Sequence, residues 1–328
     1  MKVAFQIIAD GQDVTENFAD RLIGLTIVDE AGNKSDRADI QIDDRDYAVT
    51  LPETGAKLKI SLGFVGDLVE IGHFVVDEIS GTMAPDTLSI GAKAADMLGG
   101  IRARKSRSWR DVSVQDIVQK IASEHGLKPV ISESLKVQKF AYLAQTAESD
   151  LNFLTRIAKD LDAVAKPAGG ALVVAKRGEN KAADGSDLPV FQVDKSQISE
   201  GSWQINGRGK YRCVIVEWTD PETAEVQTCT AGKDDPKLKI RHRYPNKAEA
   251  QRAADAALER GGRSSGKIDI RLGGFWGDLM AEAKVNLTGI KPELEGEWLI
   301  TNVTHRLGST LTTSFKAERD NEKAKKKL

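Results

Sequence analysis

The sequence predicts a mainly β protein with an α+β insertion, in which two related β-barrels flank a helix and β-hairpin module. Three observations carry that prediction. Strand signals dominate from residue 3 to about 96, an amphipathic helix runs into a glycine hairpin between 145 and 176, and a segment near the end repeats one near the start. The chain has 328 residues, enough for about two domains and a substantial hydrophobic core. The expected division is a first barrel over 1–100, an inserted α+β module over 101–190, and a second barrel with an Ala-rich helix over 191–328.

In the first region Val3, Phe5 and Ile7 alternate with Ala4, Gln6 and Ile8, and strand-like runs follow at 22–28, 38–42, 57–64, 69–79 and 87–92. Turns such as Ala31-Gly32-Asn33 separate them, and short strands without an intervening long helix build antiparallel barrels or sandwiches. Asp43, Asp44 and Asp46 fall in one connection. They lack the glycine and the distal Glu of an EF-hand loop, so they read as a solvated turn.

Residues 102–110 are the most basic stretch, with Arg102, Arg104, Lys105, Arg107 and Arg110 around Trp109. A single such run in a near-neutral chain reads as a solvated connection rather than a strip for nucleic-acid phosphates. Over 113–126 Ser113 and Asp116 form a capping-box variant, Ile117, Val118 and Ile121 an apolar stripe, and Gly126 a stop, which together specify a helix. His125, at its end, is expected to cap carbonyls or face water. The next helix carries Leu151, Leu154, Ile157, Ala158 and Leu161 on one face, with Thr146, Ser149 and Asp150 as candidate N-caps. Each large apolar side chain there contributes roughly 1.5–3 kcal/mol when buried, enough together to fix the helix on a neighbour.

Short apolar runs at 163–166 and 171–176 around Gly169 and Gly170 predict a tight hairpin, and 177–186 reads as a loop. Strand composition returns at 191–218 and 225–230, followed by an Ala-rich helix over 247–260 closed by Gly261-Gly262. Cys213 and Cys229 flank the turn-like Asp220-Pro221-Glu222 and are placed on facing strands. A cross-strand disulfide or half a metal site is one reading. A pair of reduced thiols is favoured, because no His or further Cys lies nearby in sequence.

The repeat relates 57–96 to 284–320. Ile60-Ser61-Leu62 answers to Val285-Asn286-Leu287, Gly72-His73-Phe74 to Gly296-Glu297-Trp298, Val75-Val76 to Leu299-Ile300, Ile79 to Val303, and Thr87-Leu88 to Thr310-Leu311, each segment closing on an Asp. Order and near-equal spacing argue for duplication rather than for the chance alternation of two strand runs.

Three places in the chain also carry a family resemblance. Glu148, Ser149 and Asp150, with Phe153, Leu154 and Arg156 and then Gly169-Gly170, form one; the basic Ser-Trp stretch 105–109 with Trp109, and His125-Gly126-Leu127, lead into it. Tyr244, Ala250, Ala253, Ala254 and Leu258 form another, and the repeat with Gly296 and Trp298 extends the match over most of the chain. In these features the sequence resembles the phage late control D family, the hub proteins of contractile tails. The resemblance implies tail-tube-like barrels and a structural baseplate hub of a phage tail, tailocin or related injection device. It implies a homotrimer that adapts a hexameric tail tube to a trimeric spike, with tail-tube protein, spike and other baseplate proteins as partners and the virion or particle as its location. One departure stands out: Glu282-Ala283 occupies the place where the family usually has glycine before the strand at Val285.

Composition bounds the alternatives. A formal net charge of −2 with 29% charged residues is an ordinary soluble surface and not that of a dedicated polyanion binder. No apolar run is long enough to span a bilayer, and residues 1–11 lack a signal-peptide core, so the chain is expected to be made and kept in a cytoplasm unless it leaves within a particle. Membrane insertion is not expected. The four histidines, His73, His125, His242 and His305, are dispersed, and no HExxH, GxSxG, Walker or dinucleotide motif occurs. No enzyme activity, cofactor or metal is therefore expected. The alternative function is a peptidoglycan-binding or cell-wall-degrading tail-associated protein, because 111–127 faintly resembles the helix of LysM repeats.

Overall fold

Alternation in the first ninety residues folds as read. The computed structural model describes residues 2–32, 35–94, 100–168, 170–179, 186–206, 211–263 and 266–319. The first unit comprises β1 (Val3–Ala9), the two-residue β2 (Gln12–Asp13), a one-turn helix α1 (Thr15–Phe18), β3 (Leu22–Glu30), β4 (Arg37–Asp43), β5 (Lys57–Phe64), β6 (Asp67–Met83) and β7 (Asp86–Ala94). Its inward positions, Ile7, Leu25, Ile27, Ile40, Ile42, Ile60 and Leu62 among them, share one core, so the sheet curls around a single interior.

The middle of the chain is β8 (Arg104–Ser113), α2 (Val114–Glu124), β9 (Lys128–Ile131), α3 (Glu133–Lys136), β10 (Lys139–Ser149), α4 (Asp150–Asp160), β11 (Ala163–Ala168) and β12 (Ala171–Lys176). β8 pairs antiparallel with β10, and β11, β12 and β9 form a second small sheet. The basic stretch is therefore a strand, not a solvated connection, because alternate residues on it face a carboxylate cluster described below. Both predicted helices are present. Ser113 and Asp116 close a capping box on α2, and Ser149, rather than Thr146 or Asp150, caps α4 by accepting the Asn152 amide at 3.2 Å.

The remainder contains β13 (Val190–Asp194), β14 (Ile198–Ile205), β15 (Cys213–Thr219), β16 (Val226–Gly232), β17 (Lys237–Tyr244), α5 (Lys247–Arg263), β18 (Gly266–Leu272), β19 (Lys284–Thr288), β20 (Gly296–Leu307) and β21 (Leu311–Arg319). β15, β16 and β17 form a separate three-stranded sheet, covered by the alanine face of α5 with Val214, Val216, Ala250, Ala253 and Ala254 in its core. Gly261 and Gly262 do not close α5. The helix runs through them to the buried Arg263, which pairs with the buried Asp162 and so anchors the last turn to the middle of the chain. Cys213 and Cys229 are buried free thiols on adjacent strands, but Cys229 lies opposite Val216 and Cys213 opposite Gly232. Three residues of offset put them on opposite faces of the sheet, which rules out a bond between them.

The other six strands repeat the first unit. Hydrogen bonding orders the first set as β3-β4-β7-β6-β5-β1 and the second as β14-β18-β21-β20-β19-β13, and both belong to one 13-stranded sheet joined where β20 pairs with β3. The irregularities repeat as well. Pairing skips Ile23 in β3 and Ser199 in β14, and it skips Asp77 in β6 and Thr301 in β20. Bulges bend strands at fixed places, so matching bulges support common descent more strongly than alternation does.

Pairing also corrects the register of the repeat. With Phe74 equivalent to Trp298, the strand partners Leu58 and Val285 become equivalent, and Ile60 answers to Leu287 rather than to Val285. At the far end Leu88 answers to Thr313, not Leu311, because Met83–Asp86 and Leu307–Leu311 are the equivalent last pairs of the two hairpins and the second loop is one residue longer than Ala84-Pro85. Both slips equal two residues, which keeps every side chain on its face and so leaves the alternation intact. The terminal Asp96 and Asp320 lie outside the described residues. One real difference remains, since β1 runs antiparallel to β5 whereas β13 runs parallel to β19.

Candidate functional site

Glu148, Ser149, Asp150, Phe153, Leu154 and Arg156 gather at the start of α4. Its apolar face, Leu151, Phe153, Leu154, Ile157 and Ala158, packs with Ile117, Val118 and Ile121 of α2 and with Leu172 and Val174 of the hairpin. Trp109 reaches the same core from β8 and stacks on Phe153, with ring centroids 5.6 Å apart and planes 11° from parallel. Arg107 lies over the Trp109 ring at 4.5 Å and Arg156 over the Phe153 ring at 5.3 Å, so both stacked rings carry a cation. Arg156 also donates two hydrogen bonds to Glu148, at 3.2 and 2.9 Å, and one to the Ala144 carbonyl at 2.8 Å. Glu148 and Arg156 thus clip the α4 turn to the end of β10.

Asp150 is fully buried at the centre of this arrangement. Lys105 Nζ lies 2.6 Å from its Oδ2 and Arg107 Nη2 2.5 Å from its Oδ1, while the Gln145 amide donates at 2.8 Å and His125 Nε2 sits at 2.9 Å. Glu124 closes the ring by accepting from Lys105 at 2.9 Å and from Arg107 at 2.8 Å. Burial acts to raise the Asp150 pKa. The Gln145, Lys105 and His125 hydrogen bonds and the Arg107 charge outweigh it and hold the carboxyl down at about 2. His125 therefore neither caps carbonyls nor faces water; its ring turns inward onto Asp150.

Among the described residues, Glu124, His125 and Asp150 form the one group of three side chains that could share a metal ion. Two cations already hold its carboxylates, so the site fits an internal ion-pair network and not a metal. Sequence inspection missed the network because its halves, β8 with α2 and β10 with α4, are brought together only by the β8–β10 pairing.

Gly170 adopts φ +74° in the hairpin turn, while its neighbour Gly169 lies outside the described residues. Gly296 and Trp298 lie far from α4, at the start of β20 in the second core. Gly296 takes φ +109°, which a side chain would strain, and Trp298 is buried with its indole N–H donating to the Leu294 carbonyl at 2.8 Å. Glu282, where the resemblance calls for glycine, keeps the left-handed backbone at φ +70°. Its carboxylate accepts the Gly32 amide at 2.9 Å and faces Lys166 at 3.9 Å, contacts that tie both barrels and the middle module together.

That junction borders a cavity of about 720 Å³, lined in part by Asp29, Asp36, His73, Asp278 and His305. Burial, then the neighbouring Asp29 charge, lifts Asp36 well above the usual carboxylate range, while Lys166 opposes the shift. Burial likewise pulls His305 down to about 4, and its Nδ1 lies 3.0 Å from the Thr313 hydroxyl. Among the described residues, no serine, cysteine or lysine lines the cavity.

Comparison with known proteins agrees with the fold and the family resemblance. A family model described as phage tail baseplate hub (GPD) matches residues 37–311. Two curated relatives, each described as "Probable baseplate hub protein", come from Escherichia phage 186 and Escherichia phage P2. They are 32% and 30% identical, each match covering 96% of this chain and 92% of the relative. Among solved structures, the 43 kDa tail protein of prophage MuSo2 from Shewanella oneidensis superposes with a TM-score of 0.71 at 13% identity, covering 97% of this chain and 99% of that one. Baseplate hubs are structural components of the virion tail. The chain belongs to the phage tail baseplate hub family.

Proposed function

We propose that the working form is a homotrimer that adapts a hexameric tail tube to a trimeric spike. The observation that carries this reading is the repeated strand order of the two barrels within one chain. Three copies then present six similar barrels toward the tube while keeping true threefold symmetry toward the spike. The division into a barrel at 1–100, a module at 101–190 and a second barrel unit at 191–328 belongs to the same proposal. In it the Asp150 network and the Trp109-Phe153 stack, with Arg107 and Arg156 over its rings, hold the module rigid between the barrels. A reconstruction of the assembled particle tests the reading. Three chains whose first and second barrels alternate around one ring are expected, and any other count or order of barrels would refute it.

We further infer that the chain does its work without catalysis. Zymography of the purified chain on peptidoglycan is expected to show no clearing, and a clearing band that survives removal of every co-purifying protein would contradict this. The cell-wall reading gains nothing from α2, whose Ile117, Val118 and Ile121 are committed to the module's core.

A further inference from the structure

Three carboxyl groups and one lysine meet where the two barrels and the middle module touch. Asp29 lies near the end of β3, Asp36 just before β4, Glu282 just before β19 and Lys166 in β11. Asp29 Oδ2 accepts the Ala281 amide at 2.7 Å, which binds the first barrel to the second. Asp36 Oδ1 accepts the Glu30 amide at 2.9 Å, and the Asp36 and Asp29 carboxyls hydrogen bond to each other. An ionised carboxylate only accepts hydrogen bonds, so a bond between two carboxyls requires a proton on one of them.

Lys166 Nζ reaches Glu282 at 3.9 Å and the Glu30 carbonyl at 3.4 Å. Burial acts to lower its pKa, but the Glu282, Asp29 and Asp36 charges outweigh it and keep the ammonium charged. One ammonium cannot balance three carboxylates. The cations of the adjoining strands are engaged elsewhere, since Arg37 pairs with Asp39 at 3.5 Å and Lys93 with Asp77. Arg177 stands by Gly32, whose amide Glu282 already holds. On the cavity wall His73 pairs with Glu70 at 2.8 Å, Asp278 is a further acid, and burial keeps His305 neutral above about pH 4. Burial, then the Asp29 charge, raises Asp36 from the ordinary 3.8 to about 6, and the proton belongs to the pair.

We propose that the carboxyl pair of Asp29 and Asp36 is a proton-operated latch on the joint between the barrels and the module. With its proton, the pair carries one negative charge opposite Lys166, and Asp29 keeps the Ala281 amide. Without it, two adjacent carboxylates repel each other and compete with Glu282 for the same ammonium, which loosens the hold of β3 on residues 281–282 and of β11 on Glu30. Both carboxyls line the cavity of about 720 Å³ and are partly exposed, so the proton exchanges with solvent. Because the folded-state pKa is raised, the added stability of the joint is complete below about pH 4 and is lost as pH rises through about 6. The latch lies within one chain, so its test does not depend on the number of copies.

Asp36→Asn in the full chain tests the latch, since an amide at that place reproduces the protonated carboxyl: its oxygen accepts the Glu30 amide and its nitrogen donates to Asp29. Hydrogen exchange, corrected for the intrinsic effect of pH, is followed at the Gly32 and Ala281 amides, which bridge the barrels. Protection in the variant relative to the parent is expected to be near parity at about pH 4 and to rise at least about tenfold by about pH 7.5, within the roughly hundredfold ceiling that a change from 3.8 to about 6 allows. His305 titrates in the opposite sense over part of this range, and the ratio removes its effect because both chains carry it. Amides of β15 and β16, in the separate sheet, are expected to show no such rise. A ratio that stays flat with pH at Gly32 and Ala281, or that rises equally in β15 and β16, would overturn the latch. Carboxyl carbon shifts of the parent supply a test without substitution: one proton is expected on the pair at about pH 5, and a pair fully ionised there would overturn the proposal as well.

Discussion

Replacing Asp150 with alanine is expected to destabilise the middle module by about 3–5 kcal/mol, the range for removing one partner of a buried ion pair. The substitution deletes a carboxylate that is fully buried and hydrogen bonded to Gln145, while Lys105 and Arg107, each only partly exposed, are left to share Glu124. Denaturant unfolding measures the loss, and a change below about 1 kcal/mol would place the network with surface ion pairs. Acid should act in the same direction. The folded-state pKa of about 2 lies below the ordinary 3.8, so the stabilisation is fully present above about pH 4 and fades as pH falls toward 2. By that linkage the pH-dependent part of the contribution is roughly 2–3 kcal/mol, and an Asp150→Ala chain should lose less stability than the parent between those pH values.

Much of this architecture can be read from residue order because local periodicity reports local burial. The α4 stripe, the α2 capping box and the bounds of β5 are all decided within about one or two turns or strands of chain, where sequence patterns are informative. The repeat was legible for the same reason, yet its outer anchors slipped by two residues. Alternation tells faces apart but cannot count along a strand, and only the pairing of Leu58 with Phe74 and of Val285 with Trp298 sets the register.

Features that depend on distant partners were hidden. Lys105 and Arg107 look like a solvated basic run until β10 brings Gln145 and Asp150 against them, and Gly261-Gly262 looks like a stop until Asp162 holds Arg263 directly after it. Nothing in the sequence of β3 announces that its second neighbour is β20, which turns two barrels into one sheet. Glu282 is the reverse case. Its side chain gives no hint of a left-handed backbone, and the family's glycine at that place is the signal that locates it.

Leu154→Asp is expected to abolish soluble expression. Leu154 is 3% exposed on the face of α4 that meets Ile117 and Ile121 of α2 and Leu172 and Val174 of the hairpin. Removing a buried leucine costs about 2–5 kcal/mol through lost burial and the cavity left behind. An aspartate adds an unpaired charge where the cations are already engaged by Asp150, Glu124 and Glu148, and the cost of burying it is several kcal/mol more. The sum rivals the whole stability of a typical domain, about 5–15 kcal/mol, so the module should not persist folded. The barrels would then lose the Lys166 contact that draws on the same module, since β11 is the strand that follows α4. Comparing soluble yield and melting of Leu154→Asp with Leu154→Met, a volume-conserving swap expected to cost under about 1.5 kcal/mol, separates charge burial from a general sensitivity of the site. An unchanged melting transition in Leu154→Asp would mean that this face of α4 is not core.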